Sequence, residues 1–272
     1  MRWVVLGCGY TGERLAARLT ADGDDVTVTA RRDDRVRELA AHGFGAVKVD
    51  VAQPDALAAL CAGAVIVDSV PPGPTLHADA VATAAVRGGA RRIVVLSTTG
   101  VYPRGAPGAP IDVDEDSATS DETVRGRARL AIERAYAAAA LETVALRIPA
   151  IYGPGRGVEA RLAAGTYQVI GDGSAVVSRI HVDDLVTAIL AAGRVDPLAR
   201  GTYVVGDDEP AASGAVADGI AARLGLPAPP RVPLTEVSKE AAELALSNRR
   251  AINTRMKREL GVVLRHPSWR SV

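Results

Sequence analysis

The stretch Trp3-Val4-Val5-Leu6-Gly7-Cys8-Gly9-Tyr10-Thr11-Gly12 decides the fold. A short apolar run, the pattern of a buried strand, passes into Gly-x-Gly-x-x-Gly, and Gly12–Asp22 then carries a helical pattern. The three glycines permit a tight turn, a close backbone approach to a pyrophosphate, and close packing of helix on strand. The N-terminus of the helix then turns free N–H groups toward the phosphates. Gly7, Gly9, Tyr10, Thr11 and Gly12 are therefore the candidate contacts of a bound dinucleotide.

Outward from this loop the same alternation repeats. Short runs rich in Val and Ile recur at Val26–Ala30, Ala46–Val49, Ala64–Val67, Ile93–Leu96 and Thr143–Leu146, bounded by Gly, Asp or Pro. Such runs fit strands buried on both faces of a parallel sheet. Amphipathic stretches at Arg35–His42 and Thr75–Gly88 lie between them, as right-handed crossovers require. The fold class is α/β, a Rossmann-type doubly wound parallel sheet. Residues 1–150 hold the core of the dinucleotide-binding unit. In 151–272 the sheet resumes at about 178–205, with a helix opening at His181 and a strand at Thr202–Val205. Residues 150–177 and 206–272 are expected to form a small C-terminal cap over the sheet edge where ligands of open α/β sheets bind.

Composition excludes several classes. Lys+Arg equals Asp+Glu at 32 each, so no global field draws the chain to nucleic acid or an anionic membrane. The tail Arg249–Arg258 is locally basic, but nucleic-acid binding also asks for stacking aromatics, which are few here. The opening apolar run is too short for a signal peptide or a membrane span. Cys8 and Cys61 form no disulfide or ligand pattern, and the four histidines are scattered without metal spacing. A cytoplasmic, metal-free protein without nucleic-acid or membrane partners is expected.

The end of the second strand speaks to the choice of dinucleotide. An NAD site usually places an acid there to hold the ribose hydroxyls. This chain has Val28-Thr29-Ala30-Arg31-Arg32. Guanidinium forks bind a 2′-phosphate that an acid would repel, so Arg31 and Arg32 favour NADP(H) over NAD. They also suit a solvated approach to a helix opening at Asp33 or Asp34.

Four further stretches carry a resemblance. They are Val94-Val-Leu-Ser-Thr-Thr-Gly-Val-Tyr102, Leu146-Arg-Ile-Pro-Ala-Ile-Tyr-Gly-Pro-Gly-Arg156, Ser178-Arg-Ile-His-Val-Asp-Asp-Leu185, and Ser247-Asn-Arg-Arg-Ala-Ile-Asn253 with Leu260-Gly261. In this order, after the glycine loop, they resemble the extended and atypical short-chain dehydrogenase/reductases, the NAD-dependent epimerase/dehydratase-like group. The resemblance covers nearly the whole chain. It implies a hydroxyl at Thr98 that hydrogen-bonds a substrate oxygen, although Ser97 and Thr98 equally suit backbone groups of the turn. It also implies helices at Thr75–Gly88 and Glu122–Ala140 that commonly build a dimer, and a homodimer is expected.

The resemblance departs at the catalytic pair. A Tyr-x-x-x-Lys helix is expected about 25 residues after the hydroxyl, and none occurs in the chain. Alignment of Val124–Glu133 puts Arg125 at the tyrosine and Arg129 at the lysine. Arginine stays charged and cannot shuttle a proton, but Arg129 can hold ribose hydroxyls. Tyr102 or Asp79 is then the candidate acid/base, and Tyr136 lies too far along the helix. Arg125, Arg156 and Arg179 are candidate clamps for a phosphate or carboxylate of the substrate. Equally, Glu122, Arg125, Arg129 and Glu133 are spaced as a ladder of surface ion pairs. His181 reads as a packed, hydrogen-bonded histidine, and Cys8 as a small buried residue.

Two functions follow from these residues. One is an NADP(H)-dependent oxidoreductase or epimerase-like enzyme acting on a small, anionic hydroxy or carbonyl compound. The other is a non-catalytic NADP(H)-binding redox sensor.

Overall fold

Trp3 and Val5 of strand β1 (Arg2–Leu6) face one core, Val4 and Leu6 face another, and all four are fully buried. The same division runs through β4 (Ala64–Asp68), where Val65 and Val67 oppose Ala64 and Ile66. Strands apolar on both faces need cover on both faces, which is why the sequence shows runs rather than alternation.

The computed structural model describes residues 1–73, 77–196 and 201–271. β2 (Asp25–Ala30), β3 (Gly45–Lys48), β5 (Arg92–Thr98), β6 (Glu142–Ile148) and β7 (Thr202–Val204) complete a seven-stranded sheet. Its order is β7-β6-β5-β4-β1-β2-β3 and every pairing is parallel. All the expected strands are present, so the doubly wound Rossmann sheet stands as read.

Helices α1 (Tyr10–Ala21), α2 (Asp33–Ala41) and α7 (Val182–Arg194) contribute Leu15, Leu19, Leu39, Leu185 and Ile189 to the first core. Helices α3 (Pro54–Ala58), α4 (Ala78–Arg87) and α5 (Val124–Ala137) contribute Leu57, Val81, Ala85, Ile132 and Tyr136 to the second. The expected start of the fourth helix at Thr75 lies outside the described residues.

Helices α6 (Val158–Ala163) and α8 (Ser213–Arg223) pack with Trp269 in a separate small core of Leu162, Val216, Ile220 and Ala221. These elements fall within residues 150–177 and 206–272. Helix α9 (Lys239–Ala245) follows on a largely exposed stretch, but α10 (Thr254–Leu260) does not behave as cap. Met256, Leu260 and Val262 bury themselves in the first core, where α10 packs against α7. No helix among the described residues is long and apolar enough to cross a membrane.

Candidate functional site

The glycine loop closes β1 onto α1. Gly7 has φ +72°, and a Cβ there would lie 3.0 Å from Val70 Cγ2 and 3.2 Å from Val70 Cα, so only glycine fits. Gly12 is buried, and a Cβ on it would meet Val5 Cγ1 at 3.2 Å, which is the close helix–strand packing the motif requires. Gly9 precedes the helix and has nothing within 4 Å of its Cβ direction, leaving room for a ligand. The first turn of α1 has N–H groups without intrahelical acceptors, so this open space faces an anion-binding helix end.

The loop is braced from three sides. The Cys8 N–H donates to the Thr29 carbonyl at 3.1 Å, and Arg35 Nη2 donates to the Cys8 carbonyl at 3.1 Å. Arg35 is itself held by Glu13. Burial pushes the Cys8 thiol up to about 12, so it is an unreactive packing residue. On the third side the Tyr10 hydroxyl donates to the Pro154 carbonyl at 3.1 Å. The Arg14 and Arg156 guanidiniums lie 3.8 and 5.1 Å from the Tyr10 ring centroid. Burial raises the Tyr10 hydroxyl.

Arg31 follows β2 beside this loop and is exposed. Arg32 is also exposed and pairs with Asp34 at 3.0 Å, while Lys48 takes Asp33 at 2.8 Å. Both acids next to Arg31 are thus engaged by other cations.

Thr98 ends β5 on the same sheet edge, and its Oγ1 accepts the Gly100 N–H at 3.1 Å. That is the turn-satisfying role, and it leaves the hydroxyl proton to point elsewhere. Tyr102 is 2% exposed, and its hydroxyl accepts from Arg147 Nη1 at 2.8 Å. Arg147 pairs in turn with Glu133 at 2.8 Å, and Glu133 also takes the Ser97 hydroxyl. Burial pushes Tyr102 up to about 12, against the pull of Arg147.

Arg129 turns inward from α5. It is 7% exposed and donates Nη1 to the Val70 carbonyl at 3.1 Å, while its Nε is buried without a partner. Burial lowers its pKa, and nearby Asp68 opposes that. Asp68 is fully buried at the end of β4, where its Oδ2 takes the Tyr136 hydroxyl at 2.7 Å and lies 3.0 Å from His77 Nε2. Asp79 stands exposed in the first turn of α4, two residues after His77. Arg125 is exposed in the first turn of α5. The expected surface ladder of Glu122, Arg125, Arg129 and Glu133 does not form, because Arg129 and Glu133 both point inward to Val70 and Arg147.

Of the three candidate anion clamps, Arg156 and Arg179 come together and Arg125 stands apart. Arg156 and Arg179 line one cavity of about 380 Å³, bounded by the Gly153–Gly157 turn, α6, α8 and Trp269. Arg125 lies on α5 with Arg129. A second cavity, about 370 Å³, is lined by Arg104, Ile170, Asp172, Leu234 and Asn248. Beside it Arg249 is 7% exposed and donates Nε to the Pro103 carbonyl at 2.7 Å and Nη1 to the Thr99 carbonyl at 3.2 Å. Burial and then the neighbouring Arg104 lower Arg249 to about 10. The Arg104 Nε is buried without a partner. The sequence carries no local sign of this pair. Arg249 reads as part of a basic tail, and nothing local places it against a turn 146 positions away.

His181 is buried as expected. Its Nδ1 accepts the Asp183 N–H at 3.2 Å, and its ring packs between Tyr152 at 5.2 Å and His266 at 3.7 Å. Burial, then His266, lowers its pKa. His181, Asp183 and His266 bring ligand atoms within 4.8 Å of one another, a grouping that chain spacing does not reveal.

Residues 7–192 match the model of a family described as NAD(P)H-binding. A 3-diazoavenalumate denitrifying reductase of a Streptomyces species is 35% identical over 202 residues, 69% of this chain. The match spans 65% of that enzyme's length. A solved structure of a conserved Silicibacter pomeroyi protein of unknown function is 32% identical, with a TM-score of 0.84 over 99% of this chain and 95% of that one. A Methylobacillus flagellatus protein provisionally designated an NAD-dependent epimerase/dehydratase is 26% identical, with a TM-score of 0.77 over 99% and 95% of the two chains.

Proposed function

The chain belongs to the NAD(P)H-binding family, among its epimerase/dehydratase-like short-chain dehydrogenase/reductases, and on that footing we propose an NADP(H)-dependent reductase of a small anionic carbonyl or hydroxy compound. The observation that carries this reading is the open glycine loop with Arg31 exposed beside it. Gly7, Gly9, Tyr10, Thr11 and Gly12 would hold the pyrophosphate at the start of α1. Arg31, with Arg32 behind it, would take the 2′-phosphate. A nicotinamide bound along this edge supplies or accepts a hydride.

The chain's own residues then have distinct tasks. Thr98 donates its free hydroxyl proton as a hydrogen bond to the substrate oxygen, since its lone pair already serves Gly100. Arg129 keeps the wall of the dinucleotide groove in place through Val70. Tyr102 has no route to the substrate, and a hydroxyl pushed up to about 12 is a poor acid near neutrality, so its task is packing. Asp79 is left as the candidate acid/base on this edge. Arg104 and Arg249, whose positive field meets the turn after Thr98, favour an anionic substrate in the adjoining cavity.

A reductase is preferred to a sensor because the curated relative carries a reductase's name. The deciding experiment is calorimetric titration of cofactor-stripped protein with NADPH and NADH, followed by turnover with panels of keto acids and neutral ketones. Binding of NADPH with oxidation only in the presence of an anionic carbonyl supports the enzyme. Binding without turnover on any panel would favour the sensor.

A further inference from the structure

The cavity bounded by the Gly153–Gly157 turn, α6, α8 and Trp269 takes no part in the reading above, and it shares no lining residue with the cavity at Arg104. Its walls are apolar: Val158, Ala160, Val216, Ile220, Leu224 and Trp269. Into this lining comes Arg179, only 5% exposed. Its Nη1 donates to the carbonyls of Val177 at 2.7 Å and Ala211 at 3.4 Å, and among the described residues no carboxylate pairs with it. Burial lowers its pKa.

The buried Asp207 carboxyl acts on this guanidinium through space, but no carboxylate among the described residues forms an ion pair with it. A guanidinium drawn out of water into an apolar pocket is costly, and an anion in direct contact offsets that cost. The surroundings point the same way. The Tyr152 hydroxyl lines the same cavity and turns toward the buried Asp207 carboxyl, which is not itself part of the lining. Arg156 adds positive charge at the lining, and the one carboxylate there, Glu159, is paired with Arg223. The pocket therefore combines a buried cation, a rim without free negative charge, and room for an apolar body.

We propose that this cavity is a second ligand site, for an amphipathic monocarboxylate whose carboxylate takes the free guanidinium N–H groups of Arg179 and whose tail lies against Ile220, Leu224 and Trp269. The interaction is a charge-assisted hydrogen bond in a low-dielectric setting, so an uncharged head group on the same tail binds more weakly. The site does not depend on the cofactor reading, and its ligand is distinct from the substrate.

Octanoate and octan-1-ol titrated into the full chain test it, read by heat and by tryptophan fluorescence. Trp269 lines the cavity, whereas Trp3 is fully buried in the sheet core and gives a constant background. Octanoate is expected to bind saturably at one site, about tenfold or more tighter than the alcohol. Ala160→Phe fills the cavity from α6 and should abolish that binding while leaving the thermal unfolding transition intact. Arg179→Met should bring octanoate down to the level of the alcohol, and if that variant does not fold, Ala160→Phe carries the test. Equal affinity for acid and alcohol, octanoate binding that survives in Ala160→Phe, or no saturable binding would each overturn the proposal.

Discussion

The Arg129 guanidinium donates to the Val70 carbonyl at 3.1 Å, and Val70 is the residue whose side chain leaves no room for a Cβ on Gly7. Arg129 thus buttresses the glycine turn from behind. Arg129→Met should weaken NADPH binding about tenfold, roughly 1.4 kcal/mol, by loosening that wall. Stability should change less, because the variant also removes a buried charge whose Nε has no partner. Calorimetric titration beside a thermal melt checks the split. A large loss of stability with unchanged affinity would show that Arg129 acts on the core alone.

Arg31 and Arg32 differ in what already holds them. Arg32 is shared with Asp34, whereas Arg31 is exposed and appears in no ion pair among the described residues. Arg31→Ala should therefore cost NADPH the larger part of the phosphate contact, on the order of 1.5–3 kcal/mol, or about 10- to 100-fold. Arg32→Ala should cost less, and NADH affinity should hardly move in either variant. Parent protein that binds both dinucleotides equally would remove the basis of the NADP(H) preference.

Thr98 and Tyr102 make a paired test. Thr98→Ala should lower turnover by roughly 10²-fold at unchanged cofactor affinity, as loss of a hydrogen bond to a developing oxyanion does. Tyr102→Phe should keep turnover and lose about 1–2 kcal/mol of stability, since Arg147 then lacks a buried acceptor. Steady-state kinetics and denaturant unfolding on the same two variants settle it. Turnover lost in Tyr102→Phe but kept in Thr98→Ala would reverse the assignment.

Local chemistry and distant chemistry differ in how much of them the chain displays. The Gly7–Gly12 loop is legible because strand, glycines and helix follow one another in a single uninterrupted stretch. The strands are legible because Val and Ile runs buried on both faces leave no other reading. The contact of Arg129 with Val70 is not legible, since Val70 belongs to a loop that only the sheet order brings near. Arg249 and Arg104, or Arg179 and Tyr152, come together only after the sheet is wound. Burial is what changes their chemistry, and a basic tail looks the same in sequence whether its arginines are solvated or enclosed.

Asp207 shows that effect as a pH dependence. It is 1% exposed, and burial pushes its carboxyl up to about 7, against the downward pull of the Glu209 N–H and of Arg179. A carboxyl raised on folding favours the protonated state. Its contribution to stability is full below the ordinary carboxylate range near 3.8 and is lost as pH rises through about 7. Asp207→Asn, which mimics the protonated acid without titrating, removes that loss. The difference in unfolding free energy, parent minus variant, should therefore fall steadily between about pH 4 and pH 7.5. The upper bound is on the order of 3–4 kcal/mol, at 1.36 kcal/mol for each factor of ten in proton affinity. Reading the difference cancels the carboxylates lowered by ion pairs, such as Asp22 with Arg18 and Arg194, which act in the opposite direction. Denaturant unfolding of both proteins at four or five pH values measures it, and parallel curves would mean that Asp207 is ionised and solvated when folded. Occupancy of the Arg179 cavity by a carboxylate should raise the Asp207 carboxyl further, because a second negative charge then faces it.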